Sequence, residues 1–181
     1  MSMKLRPAAI AALAPLALLL SACSPTVTLT PAPDATSAAC AEIIVRLPDT
    51  IEELPQRETD AQSTSAWGTP AAVLLRCGVD VPGPSTLPCF TVKGIDWLRD
   101  DTDAPTFVFT SYGRDPAVEV VIDSELTSGT SALVAIANAV GSLPAERQCT
   151  AAEDVFEAPE ESADPSAEPS AGPSPSATPA E

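Results

Sequence analysis

Four aspartates crowd one short stretch of the chain: Asp96, Asp100, Asp101 and Asp103. Carboxylates gathered in this way can hold calcium through oxygen ligands or serve as the acid and base of a glycosidase. Neither spacing is met, because the glycine and the distal glutamate of a calcium loop are missing. A general acid also needs an apolar pocket to raise its pKa, and RDDTDA at 99–104 is polar throughout. The cluster reads as a solvated hairpin turn in an acidic protein. A second constellation joins Arg76, Trp97, Tyr112 and Arg114, scarce residue types in a chain with 4% aromatics. Arg76 closes an apolar run, and Tyr112 and Arg114 open a turn. Guanidinium groups and rings at strand ends can hold a carboxylate, a sugar or a peptide terminus. These four are the expected binding residues. The competing reading puts the tryptophans in the core and pairs the arginines with the many acids.

The chain has no histidine. This removes Ser-His-Asp and Cys-His catalysis and histidine metal sites. No glycine-rich phosphate loop follows an apolar run. No catalytic residue, no metal and no cofactor is therefore expected.

The cysteines are assigned elsewhere. Lys4 and Arg6 precede an uncharged apolar run at 8–20, and Leu20-Ser21-Ala22-Cys23 follows. A run of this length suits a signal peptide and is shorter than the roughly 20 residues of a membrane-spanning helix. The Leu-Ser-Ala-Cys order matches a bacterial lipobox, so residues 1–22 are expected to be removed and Cys23 to carry the lipid (diacylglycerol and a further acyl chain such as palmitate). Two or three acyl chains anchor firmly where one is marginal. The remaining Cys40, Cys77, Cys89 and Cys149 form an even set in an exported chain, which reads as two disulfides. Three pairings are possible. The favoured one is Cys77–Cys89, close in sequence around a turn-rich segment, with Cys40–Cys149 tying the ends together. The spacing lacks CxxC, against a zinc site.

Composition sets the rest. Two of the nine bases precede residue 23 and all 25 acids follow it, so the mature chain carries seven bases against 25 acids, a formal charge of −18. Such a chain repels nucleic acid, and no nucleic-acid partner is expected. Residues 23–35 are rich in Pro and Thr and read as a flexible spacer. Residues 151–181 hold eight acids, six prolines and no base, a composition that opposes a packed core and reads as a disordered tail. Both tracts could accept O-linked sugars, though a plain solvated linker is the simpler reading.

One domain is left, residues 36–150. Cys40, Ile43, Ile44 and Leu47 share a helical face, with Thr36 or Ser37 as cap and Pro48 as stop. Strands are expected at 71–76, 89–98, 105–112 and 117–123. The alternation changes phase across Gly94, which reads as a bulge. Leu133, Ile136, Val140 and Leu143 mark a closing helix at 131–143, capped by Thr130. The expected fold is α+β: a two-layer sandwich with a four-stranded antiparallel sheet, packed by an N-terminal and a C-terminal helix and stapled by two disulfides.

The pattern TSAWGTPAAVLLRCGV, then GIDW, TSYGRDPAVEVVI and a final cysteine, resembles the actinobacterial secreted proteins grouped as domain-of-unknown-function family 3515 (DUF3515). The resemblance covers about residues 40–149. It implies an actinobacterial envelope protein with paired cysteines and carries no activity and no catalytic residue. The lipobox and acidic tail are not part of what it implies.

The expected role is thus a membrane-anchored, extracytoplasmic lipoprotein, non-enzymatic, binding an envelope protein or a cell-wall ligand through the face of Arg76, Trp97, Tyr112 and Arg114. The alternative is a carboxylate-dependent hydrolase or lyase acting on cell-wall glycan, motivated by the acids near Trp97.

Overall fold

The computed structural model describes residues 25–150. The leader at 1–22, Cys23 and the tail at 151–181 lie outside the described residues. The elements are α1 (Ala38–Ile44), β1 (Thr50–Ile51), β2 (Leu54–Arg57), β3 (Thr64–Trp67), β4 (Val73–Val79), β5 (Cys89–Val92), β6 (Ile95–Asp100), β7 (Thr106–Ser111), β8 (Ala117–Asp123) and α2 (Gly129–Val140). Instead of the four strands expected, eight form one antiparallel sheet in the order β1-β2-β3-β4-β8-β7-β6-β5.

The additional strands arise in two ways. Residues 50–67 are too polar and too interrupted by Pro55 to show a strand period. Their pairing is set by neighbours: Trp67 opposes Val73 and its indole N–H donates to the Pro48 carbonyl at 3.0 Å. The segment expected as one bulged strand is instead the β5–β6 hairpin. Lys93 and Gly94 both have positive φ, 52° and 73°, as a two-residue mirror-image turn requires. Val92 and Ile95 face each other across it and are both buried. Ile95 comes three positions after Val92, an odd step, so the alternation had to change phase there.

Strand parity defines two faces. Val73, Leu75, Cys77, Val92, Ile95, Trp97, Phe109, Val118, Val120 and Ile122 point to one core, joined by Cys40 and Ile43 of α1 and Leu133, Ile136 and Val140 of α2. Helix α2 touches β1, β5 and β8, including both edge strands, so the sheet curls around it; α1 packs on α2 and β4. Ser128 caps α2, its hydroxyl accepting from the Ser131 amide at 3.3 Å, two residues before the expected cap at Thr130.

The first and last described residues lie on the other face. Val27 bridges Thr59, and the Leu29 amide donates to Asp60 Oδ1 at 2.9 Å. At the opposite end the Glu146 amide donates to the Gly113 carbonyl at 2.7 Å, and the Cys149 amide to Asp96 Oδ2 at 2.7 Å.

Two disulfides are present, but with the other partners: Cys40–Cys77 and Cys89–Cys149, with Cα separations of 5.5 and 6.2 Å. The favoured Cys77–Cys89 pairing is overturned by topology. Strands β8, β7 and β6 lie between β4 and β5. Four strand spacings amount to roughly 19 Å along the sheet, whereas a disulfide needs Cα atoms within about 7 Å. Closing loops of 37 and 60 residues contributes on the order of 4 kcal/mol each in the chain-entropy view.

Candidate functional site

The four residues expected to bind are not on one surface. Arg76 lies on the sheet face away from the helices, opposite Glu119 on β8. Its Nε and Nη2 donate to Glu119 Oε1 at 2.9 and 2.5 Å. Trp97 is fully buried in the core. Arg114 is also buried, its guanidinium donating to the Leu143 and Gly94 carbonyls. Burial pulls Arg114 below its usual basicity, and the Asp96 charge opposes that shift. Tyr112 stands at the end of β7, beneath the Arg147 guanidinium at 5.7 Å from its ring. Arg114 and Tyr112 thus fasten the C-terminal segment to the β7–β8 turn, while Arg76 is tied to a cross-strand acid.

Three of the four aspartates are occupied too. Asp96 accepts from the Thr91 hydroxyl at 2.6 Å and from the Cys149 amide. Asp100 Oδ1 accepts from the Thr102 hydroxyl and amide at 2.5 and 2.9 Å. These bonds hold its carboxyl below the usual carboxylate range, the opposite of what a general acid needs. Asp101 lies 3.4 Å from Arg99. Among the described residues no group of three or more Cys, Asp, Glu or His could hold a metal ion, and no helix is long and apolar enough to cross a membrane.

A cavity of about 430 Å³ opens between the start of α2 and the β5–β6–β7 end of the sheet. That volume falls within the roughly 300–1,000 Å³ of small-molecule sites. Phe90, Phe107, Phe109 and Leu133 form its apolar wall, and Arg99, Gly129 and Thr130 complete it. Phe90 and Phe109 meet edge to face at 5.9 Å; Phe107 and Phe109 are tilted, 6.4 Å apart. Parity explains the wall. Phe90 pairs with Trp97, Phe107 with Ile122 and Phe109 with Val120, each with a buried core residue, so all three rings point toward α2. Phe109 is buried, whereas Phe90 and Phe107 are only partly covered, because α2 begins at Gly129, where there is no side chain to fill the space.

Arg99 follows Ile95 and Trp97 on the same parity and opposes Phe109. A cation therefore occupies the last core-facing position of β6. The sequence carried that signal in the alternation Ile95, Trp97, Arg99. It passed unnoticed because Arg99 reads as the start of the acidic turn. The phenylalanines were legible as strand residues, but not as neighbours, since β5 and β7 meet only through β6.

An antiparallel α+β domain, curled on one helix and stapled by two disulfides, is the class these features define. The chain belongs to the family described as "Protein of unknown function (DUF3515)", whose family model matches residues 7–148. No match was found among curated proteins or among solved structures.

Proposed function

We propose that this chain is a non-enzymatic binding module held on the extracytoplasmic side of a bacterial membrane by lipid on Cys23, and that it takes its ligand in the cavity beside Arg99. The observation that carries the binding reading is the apolar, three-ring wall standing open next to a cation. Concave, mostly apolar clefts with few polar groups are the usual form of small-molecule sites. Of the carboxylates that would serve a hydrolase, Asp96 and Asp100 are engaged in clasp and turn hydrogen bonds and Asp101 faces Arg99, which favours binding over turnover. The lipobox at 20–23 supports the anchor, and two disulfides suit an oxidising compartment.

The test is capture. The purified full chain is incubated with a total envelope extract, washed and denatured, and the released small molecules are identified by mass spectrometry. A ligand recovered unaltered, and lost in Thr130→Trp, is the expected result. Recovery of a chemically altered compound that accumulates with time would overturn the non-enzymatic reading. A Cys23→Ala chain should leave the membrane fraction and lose the acyl mass at its N-terminus. Unchanged membrane association and unchanged mass would overturn the anchor.

A further inference from the structure

We infer that the cavity recognises a small monocarboxylate with an apolar body, the carboxylate on Arg99 and the body against Phe90, Phe107, Phe109 and Leu133. This rests on the cavity being the binding site and adds the chemical class of what enters it.

Arg99 differs from Arg76, Arg114 and Arg57 in how its guanidinium is engaged. Arg76 gives two nitrogens to one carboxylate at 2.9 and 2.5 Å. Arg114 spends its guanidinium on two main-chain carbonyls. Arg57 donates to Gly68, Thr69 and Pro25. Arg99 has a single contact of 3.4 Å with Asp101, whose side chain is 56% exposed. Its Nε is buried without a hydrogen-bond partner among the described residues, as are those of Arg57 and Arg114, but its side chain is 41% exposed, so its terminal nitrogens stay open to a ligand. A buried donor without a partner is costly, and the cost falls when an anion enters. A planar guanidinium also matches a carboxylate through two parallel N–H bonds.

Charge then narrows the occupant. Asp100, Asp101 and Asp103 lie on the turn just beyond Arg99, so a dianion such as phosphate is repelled more than a monoanion. The start of α2 adds a modest attraction on the same wall. Gly129 and Thr130 line the cavity, and no acidic side chain stands in the first helical turn to neutralise that end. The apolar body follows from the rings, which offer hydrocarbon to whatever the guanidinium holds. An aliphatic chain and an aryl group both satisfy this chemistry, and the titration separates them.

The full chain is titrated with hexanoate, phenylpropionate and hexanol, with calorimetry for affinity and aromatic NMR shifts for location. One or both acids should bind at least about tenfold more tightly than hexanol, the size of one charge-assisted hydrogen bond pair. Shifts should centre on Phe90, Phe107 and Phe109, and the tighter acid identifies the body as aliphatic or aryl. Arg99→Gln should bring the acids down to the level of hexanol. Thr130 is exposed, so Thr130→Trp should keep the fold, checked by circular dichroism, while closing the cavity to all three. Equal binding of hexanol and the acids overturns the carboxylate inference and leaves the cavity reading intact. Acids that bind Arg99→Gln as well as the unaltered chain do the same. No shift with any of the three in a folded chain, together with capture of a ligand that Thr130→Trp abolishes, overturns this inference alone. No shift and no capture overturns both.

Discussion

Gly113 and Arg147 meet backbone to backbone: a β-carbon on Gly113 would lie 2.6 Å from the Arg147 carbonyl carbon and inside the contact radius of its oxygen. Gly113 also has a positive φ of 72°, a region that side chains disfavour. Both conditions must hold for the C-terminal segment to lie on the β7–β8 turn. Gly113→Ala is therefore expected to cost about 1–3 kcal/mol. It should also release the segment carrying Cys149, read as increased amide exchange at Glu146 and Cys149 in the folded protein.

Arg114 holds the same region from within. Its removal strands the Leu143 and Gly94 carbonyls and opens space beside the core. Arg114→Ala should lower stability by about 2–4 kcal/mol in chemical denaturation. Affinity of the surviving folded fraction for any cavity ligand should be unchanged. A loss of affinity without a loss of stability would return Arg114 to the binding surface.

Arg76 and Glu119 form a half-exposed cross-strand pair, with side-chain exposures of 33% and 18%. Pairs of this kind contribute up to about 1 kcal/mol. Arg76→Ala should cost no more than that and leave ligand binding untouched, as measured by thermal unfolding and the titrations above.

Asp60 fastens the N-terminal segment by accepting from the Leu29 amide. That bond is the main reason its carboxyl titrates below its ordinary 3.8. The contribution of a depressed carboxylate is present above its unfolded pKa and fades as pH falls through the folded one. Protection of the Leu29 amide from exchange should thus persist at neutral pH and weaken in acid below about pH 4. Asp60→Asn should remove that pH dependence.

The two disulfides differ in access. Cys40 and Cys77 are fully buried, whereas Cys89 and Cys149 are part-exposed. Mild reduction followed by alkylation should label Cys89 and Cys149 first. The reverse order would mean that the core opens before the C-terminal clasp does.

Legibility followed locality. Both helices and the β7–β8 hairpin announced themselves because their partners are near in sequence and their apolar period is clean. Strands β1 to β3 did not, since Ser65 and Thr64 are buried by the fold around them rather than by their own hydrophobicity. Cysteine pairing failed for a related reason. Short separation between Cys77 and Cys89 implied proximity, but the β4–β5 connection crosses the whole width of three intervening strands. Of the site, the rarity of arginine and aromatic residues pointed to the right residue types and the wrong members. Arg76 was expected to end a strand but lies in the middle of β4, and its guanidinium and that of Arg114 are spent on Glu119 and on main-chain carbonyls. Arg99, hidden in an acidic turn, stands beside the wall of phenylalanines.

The curl of the sheet around α2 has a bearing on how copies of this protein behave in a crowd. Its two edges are short, two residues at β1 and four at β5, and both lean on the same helix. A neighbouring molecule seeking a strand to extend finds almost no length to grip on either side. Short edges of this kind guard against edge-to-edge aggregation, and they let an acidic domain be displayed densely without its sheets fusing.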